Sequence, residues 1–301
     1  MKITSVLRLP VACAVLSLVA APAAGQSLPD GELRGEISAS RVFGSDLRGV
    51  DAEDEDSGSS FILRGALDYE FELGNIPVAL SYDTAGYFYD EDDRSDRWSN
   101  RGALGVTHDL TDVVQLFGQA GYASNIATAE SGLTDQSELL GGLQFAFGEA
   151  NRVRTSAGYR WREYDFDESE GHGAFFGAEY RYRFAANHYL TAEARRENIN
   201  SDTLRRGYDR TTAELFYQRS LSPGFRLRTG AIARWWDFDG RFAPTAERLE
   251  RRTITPEVDL QYATRPGWLL RGRLQQIFRG SNDPRFAEDE QRATVTAGYR
   301  F

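Results

Sequence analysis

The sequence predicts an all-β fold, a closed antiparallel transmembrane β-barrel of about 14 strands, and three observations carry that prediction. Segments of about ten residues alternate apolar and polar side chains along most of the chain, the period of a strand whose two faces meet different surroundings. The connections between segments are short and long by turns, and aromatic residues gather near segment ends. No helical periodicity stands out beyond the first 25 residues.

Composition narrows the field before any element is placed. The chain has 301 residues, a net charge of −10, 12% aromatic residues and 29 glycines, which excludes a disordered polar chain. It also excludes a polytopic helical membrane protein, because each spanning helix needs about 20 consecutive apolar residues. The one long apolar run lies at the N-terminus. Lys2 and Arg8 precede an apolar segment from Leu9 to Ala20, and small residues follow at Ala21, Ala23, Ala24 and Gly25. This is the pattern of a secretory signal peptide, with cleavage expected between Ala23 and Gln26. Residues 1–25 are therefore read as the signal peptide and 26–301 as the barrel. Pro10-Val11-Ala12 before Cys13 makes a poor lipoprotein site. Cleavage leaves 33 basic against 45 acidic residues, a net −12, and no cysteine. Without disulfides, an exported chain must close its fold by hydrogen bonding and packing.

Taken in order, the segments fall near 32–43, 60–72, 77–89, 97–108, 113–125, 136–147 and 152–164. The second half continues with 172–184, 188–198, 208–221, 225–238, 252–264, 268–279 and 290–301. In the second segment Phe61, Leu63, Leu67, Tyr69 and Phe71 alternate with Arg64, Asp68, Glu70 and Glu72. In the seventh, Val153, Ala157, Tyr159 and Trp161 alternate with Arg152, Arg154, Arg160 and Arg162. In the eleventh, Phe225, Leu227, Ala231 and Trp235 alternate with Arg226, Arg228 and Arg234. Pro256 interrupts the twelfth segment; lacking an N–H, it predicts a later strand start or a bulge there.

Short turns are expected at 73–77, 109–112, 148–151, 185–187, 222–224 and 265–267. Longer charged loops are expected at 44–59, 90–96, 126–135, 165–171, 199–207, 239–251 and 280–289. A water-soluble sandwich would alternate too, but two aromatic belts favour a membrane barrel. Phe88, Trp98, Trp161 and Trp235 lie toward the loops, and Phe71, Phe147, Phe184, Phe225 and Trp268 toward the turns. Lipid satisfies no open sheet edge, so the sheet has to close.

The last nine residues, Ala293-Thr294-Val295-Thr296-Ala297-Gly298-Tyr299-Arg300-Phe301, end on an aromatic with apolar residues at every second position. This stretch resembles the terminal strand of Gram-negative outer-membrane β-barrel proteins of the porin-like kind. The resemblance implies an outer-membrane location among lipid and lipopolysaccharide, and that Tyr299 and Phe301 form the signal read by the barrel-assembly machinery. Gly280-Ser281-Asn282-Asp283-Pro284-Arg285-Phe286 is more faintly similar to the end of the barrel domain in surface lipoprotein assembly modifiers. Those proteins carry a helical-repeat domain ahead of the barrel, which this chain lacks. That likeness implies a non-conducting export or assembly barrel with a separate helical-repeat partner.

The inward faces carry the functional signal. Segments one to six point Glu32, Glu36, Asp68, Glu70, Glu72, Asp83 and Glu138 inward against Arg34, Arg64 and Arg101. Segments seven to fourteen point sixteen arginines inward: Arg152, Arg154, Arg160, Arg162, Arg181, Arg183, Arg195, Arg210, Arg226, Arg228, Arg234, Arg271, Arg273, Arg279, Arg292 and Arg300. Only Glu179, Glu193, Glu197, Glu214, Glu257 and Asp259 oppose them. A lumen with a basic wall attracts anions, and guanidinium matches carboxylate and phosphate in bidentate fashion. The expected function is a porin-like channel for passive diffusion of small or oligomeric anionic solutes. Its pore lining is expected to be Arg152, Arg154, Arg181, Arg183, Arg226, Arg228, Arg271, Arg273, Glu257 and Asp259, strongest at the short-turn rim. The competing reading is a wall ladder in which Glu257 and Asp259 pair with Arg271 and Arg273, and Glu179 with neighbouring arginines, at about 0.2–1 kcal/mol per pair.

Other classes have less support. The acidic runs Asp51–Asp56, Asp90–Asp93, Asp165–Glu170 and Glu288–Glu290 read as solvated loops, with divalent bridging to lipopolysaccharide as the sharper alternative; no metal site and no cofactor are expected. Catalysis would have to use His108, His172 or His188, and no nucleophile elbow or zinc spacing accompanies them. An acid pair around His172, near Glu168 and Glu170, is the nearest thing to a catalytic constellation. The acidic balance disfavours nucleic acid. A structural or adhesive barrel presenting its loops is a further alternative.

Overall fold

The structure, a computed structural model, describes residues 30–44, 59–90, 95–128, 133–165, 169–264 and 266–301. The signal peptide, the Asp51–Asp56 run, residues 91–93 of the second acidic run and residues 166–168 lie outside the described residues. The fourteen strands are β1 (Gly31–Gly44), β2 (Ser60–Leu73), β3 (Ile76–Tyr89), β4 (Arg97–Thr111), β5 (Val114–Ile126), β6 (Thr134–Phe147), β7 (Asn151–Tyr164), β8 (Glu170–Ala185), β9 (His188–Ser201), β10 (Tyr208–Ser222), β11 (Phe225–Phe242), β12 (Arg248–Ala263), β13 (Gly267–Ser281) and β14 (Glu290–Arg300). Each pairs with its chain neighbour, and β14 pairs with β1, so the barrel is closed.

The two faces separate as the alternation demands, but inverted relative to a water-soluble protein. Leu33, Ile37, Leu139, Phe176, Leu215 and Leu274 are exposed on the outside, while Glu197, Glu257, Asp259, Arg162 and Arg292 are buried within. A soluble sandwich would reverse this arrangement; a barrel in lipid requires it. The belts form as expected. On the loop side, Trp98 meets Phe88 edge-on at 6.1 Å. On the turn side, Trp268 meets Tyr299 edge-on at 5.9 Å.

The β1–β14 seam pairs Glu36–Gly44 with Arg292–Arg300, and Phe301 extends it. Phe301 and Gly35 exchange backbone hydrogen bonds of 2.9 and 3.0 Å, and a side chain added at Gly35 would strike the Phe301 ring. Gly35 is thus the flat seat on which the terminal aromatic lies.

Two expectations about the twelfth and eleventh strands are corrected. The twelfth strand starts earlier than expected, at Arg248, and has no bulge at Pro256. Pro256 faces Ala231 in unbroken register with β11. On the β13 side the ladder omits Thr255 and Pro256 and resumes in the same register at Glu257, so the missing N–H costs local pairing but not alignment. The 239–251 loop is largely hairpin, because β11 runs on to Phe242. Ala246, at φ 64°, turns the chain, and Ala243 N donates to Glu247 O at 2.9 Å.

Apolar clusters sit inside the barrel at its loop end. Ile199, Tyr208, Trp236, Phe238 and Leu249 form one, with Phe286 packed against it. Val42, Ile62, Ala85 and Tyr87 form the other, on the facing wall. Replacing Gly35 by Leu is expected to displace Phe301 and weaken the β1–β14 seam. A lower yield of the heat-modifiable folded band in gel electrophoresis, with the residual band melting earlier, checks this.

Candidate lumen site

Each inward arginine takes its setting from its height on the wall. Toward the loops, Glu197 on β9 is 1% exposed and forms a hub. Arg160 pairs with it, and Arg162 and Arg210 approach at 3.4 and 3.3 Å. Arg195 lies 3.7 Å away, and the Tyr208 hydroxyl donates to Glu197 at 2.6 Å. Arg160 also reaches Glu138 across the β6–β7 pair at 2.5 Å. Four guanidinium groups round one buried carboxylate leave the region strongly cationic.

Arg160, Arg162 and Arg210 of this hub line a cavity of about 700 Å³ inside the loop half of the lumen. Arg64, Arg101, Arg160, Arg162, Arg210 and Arg234 line it, and Asp83 and Glu138 are its only carboxylates among the described residues. The segment Ile126–Thr128 folds over its edge, with Thr128 hydrogen-bonded to Thr134 at 3.2 Å. These arginines belong to the inward set read from the sequence. Their convergence on one cavity does not.

The residues expected to line the pore divide into two kinds. Arg228 donates to Glu257 at 2.7 Å and lies over the Phe216 ring. Arg271 pairs with Asp259, and Arg273 approaches the same carboxylate at 3.3 Å. Glu257 and Asp259 are 4% and 3% exposed, so these five are joined as a wall ladder, while Arg271 and Arg273 also line a smaller cavity of the lumen. The pairing also differs in detail: Glu257 takes Arg228 and Gln275, not an arginine of β13.

Nearer the short-turn rim, Arg183 pairs with exposed Glu149 at 3.0 Å. Arg154 stacks on Phe117 at 3.9 Å and Arg181 on Tyr189 at 4.5 Å. Arg152 and Arg226 are exposed and make no ion pair among the described residues. The basic focus is therefore the loop-side cavity and not the short-turn rim, because most rim-side arginines are spread singly or paired while the cavity arginines converge.

Glu179 faces Arg154 in register but forms no ion pair with an arginine among the described residues. Glu179, Glu193 and Glu214 face one another in register across β8, β9 and β10, an acidic band within the basic half. Sequence reasoning also missed Arg251, which is buried beneath Phe286 with its guanidinium 4.7 Å from that ring; it lay at the edge of an expected loop. The segment 283–289 supplies that lid. Asp283 accepts from Arg285 N at 3.1 Å and bonds the Arg285 side chain, holding the short 3-10 turn Pro284–Phe286. Farther down, Glu290 holds Arg279 and Arg292 at 2.7 and 2.9 Å.

The histidines lie on the other face. His172 is exposed beside Tyr159, at 6.1 Å between rings, and alternates with buried Gly171 and Gly173. His188 bonds the Tyr217 hydroxyl at 2.8 Å, and His108 is exposed among outward residues of β4. No acid pair forms around His172 among the described residues. Outside the lumen, above Trp235, Asp209, Asp237 and Glu250 face one another across β10, β11 and β12, with Arg196 and Arg252 beside them.

No family model matches the chain, and no curated protein matches it in sequence. Solved structures do. The outer-membrane channel DcaP of Acinetobacter baumannii superposes with a TM-score of 0.56 at 13% identity, over 90% of this chain and 97% of that one. The fold is that of an outer-membrane barrel. A loop-deletion mutant of OmpT, an outer-membrane protein of Vibrio cholerae, aligns at TM-score 0.54 and 10% identity, over 90% of this chain and 99% of its own. An anion-selective porin from Comamonas acidovorans aligns at 0.50 and 9%, again over 90% and 99%. At these identities the likeness is one of architecture, and the lumen chemistry belongs to this chain.

Two stability changes follow from the wall. Glu197→Ala strands its arginines in a buried site and is expected to cost about 3–5 kcal/mol. Glu193→Gln relieves like charges on directly opposed strands and is expected to stabilise by about 0.2–1 kcal/mol. Urea unfolding in detergent micelles reads both, and the two shifts are expected to have opposite signs.

Proposed function

We propose that the protein is an outer-membrane porin-like channel that passes small or oligomeric anionic solutes, with the loop-side cavity as its filter. The observation that carries this reading is the ratio of six guanidinium groups to two carboxylates around one cavity of about 700 Å³ in a closed barrel. Clefts lined by one sign of charge concentrate the opposite ion and speed its entry. Rings of arginine are a recurrent anion filter. That one architectural neighbour is described as an anion-selective porin and another as an outer-membrane channel supports the same reading.

The mechanism is steering followed by transient pairing. An anion enters past the apolar clusters, meets guanidinium groups whose geometry fits carboxylate or phosphate, and shares them with Glu138 and Glu197. Those resident carboxylates keep any one arginine from holding the solute too firmly, since conduction needs binding weak enough to release. Arg152 and Arg226 then lie along the exit at the turn rim.

The remaining assignments complete the proposal. Residues 1–25 direct export and are removed. Tyr299 and Phe301 are presented to the barrel-assembly machinery before Phe301 seats on Gly35. The outward charged band above Trp235 sits among lipopolysaccharide headgroups.

Single-channel recording of the refolded mature protein in a planar bilayer, with a salt gradient, tests the reading. A stable open level with a reversal potential on the anion side is expected. Arg234→Glu is expected to shift selectivity toward cations several-fold in permeability ratio. Arg226→Glu, at the rim, is expected to shift it less, and Arg228→Glu to lower stability as well because it opposes Glu257. Unchanged selectivity in Arg234→Glu, or a folded barrel with no conductance, overturns the proposal.

A further inference from the structure

Beginning two residues from the acidic band on β9 and β10, toward the loops, a second lumen row crosses five strands. It consists of Arg195 on β9, Thr212 on β10, Arg234 on β11, Thr253 on β12 and Arg279 on β13, each facing the next in register. Arginine and threonine alternate, so every guanidinium in the row has a hydroxyl on the adjacent strand.

Several donors in this row are unused. Thr253 is 5% exposed, and its hydroxyl has no hydrogen-bond partner among the described residues. Nε and Nη2 of Arg195 are buried without a hydrogen bond among the described residues, although Nη2 lies 3.7 Å from Glu197. The flat face of Arg195 rests on Phe175 at 4.1 Å, which fixes the fork in place. Arg234 lines the cavity without an ion pair among the described residues. Arg279 closes the row, anchored to Glu290 at 2.7 Å. Buried polar groups in native proteins are almost always satisfied. Unused donors gathered along one row, beside a cationic cavity, point to acceptors supplied from outside the chain.

Resting on the channel reading, we propose that this row is a binding track for a linear oligoanion, a chain carrying phosphate, sulfate or carboxylate groups. The spacing decides between a chain and a single ion. Neighbouring strands lie about 4.8 Å apart, so the three arginines stand about 10 Å from one another along the row. A lone oxyanion reaches one guanidinium and its neighbouring hydroxyl. A chain with acidic groups repeating at about 5 or 10 Å engages all three arginines, with Thr212 and Thr253 donating between them. The acidic band formed by Glu179, Glu193 and Glu214 flanks the Arg195 end of the row and repels the chain from the lower wall there.

Block of the bilayer current by a linear polyphosphate of about ten units tests the track, against orthophosphate at equal total charge. The polymer is expected to block at a concentration at least about tenfold lower than orthophosphate, the effect of one added charge-assisted hydrogen bond or more. Polyglutamate of the same length distinguishes a phosphate from a carboxylate chain, and retention of either polymer supports the track. Thr253→Val, which keeps the shape and removes the hydroxyl, and Arg234→Gln are each expected to lose most of that gain. Arg234→Lys is expected to recover only part of it.

Quenching of tryptophan fluorescence by the same polymers gives a binding readout that needs no conductance, since Trp236 lies two residues from Arg234. Polymers held no better than orthophosphate, or held equally by Thr253→Val and Arg234→Gln, overturn the track. If the channel stays anion-selective in that case, the channel reading survives alone. If the polymers bind but no anion current flows, the channel reading fails and the track stands as a binding surface.

Discussion

Lipid offers no hydrogen bonds to a strand edge, and everything else in this barrel follows from that. Every backbone group of fourteen strands must find its partner within the sheet, and the last edge is removed only when β14 meets β1. Phe301 and Gly35 complete that seam, so a terminal aromatic and a residue without a side chain become structural requirements. Closure also separates the faces. Apolar side chains go outward to lipid, and the charges that a soluble protein would show to water are enclosed together.

Enclosure sets the electrostatics of the lumen. Charges held within one narrow space cannot be ignored by their neighbours, and the wall resolves them in three ways. Arg228 with Glu257, and Arg271 and Arg273 with Asp259, are neutralised as ladders across adjacent strands. Rim arginines such as Arg154 and Arg181 lay their planar groups over aromatic rings, where the ring face is attractive to cations. The loop-side arginines outnumber their acids, and six of them line the cavity that we propose as the filter. The two apolar clusters toward the loop end lower the dielectric near it, which strengthens the charge interactions beside them.

The same alternation that builds a strand therefore also distributes function. One residue in two is committed to lipid and the next is available for chemistry, so a basic face needs no motif. Arg195, Arg234 and Arg279 are far apart in the chain and become neighbours in a row only because β9 to β13 keep strict register. The histidines follow the same logic. His172 shares the exposed face of β8 with Glu170, while the buried positions beside it are Gly171 and Gly173, so that histidine is turned away from the lumen.

Whatever depends on local period could be read along the chain. Strand number, strand bounds to within a few residues, the alternation of short turns and long loops, and the aromatic belts were all legible, since each rests on a two-residue repeat or on turn chemistry. Pro256 shows the limit of that local logic, because its missing N–H predicted a break that unbroken register with β11 absorbed. Which charges meet was settled only when the strands came together. Register across neighbouring strands placed Glu179, Glu193 and Glu214 side by side, and set Arg154 across from Glu179 with its guanidinium over Phe117. It gave Glu257 to Arg228, and made Glu197 the hub of a cavity assembled from strands distant in the chain. Pairing of charges in a barrel is a property of cross-strand distance, and cross-strand distance is set by closure, which no single segment encodes.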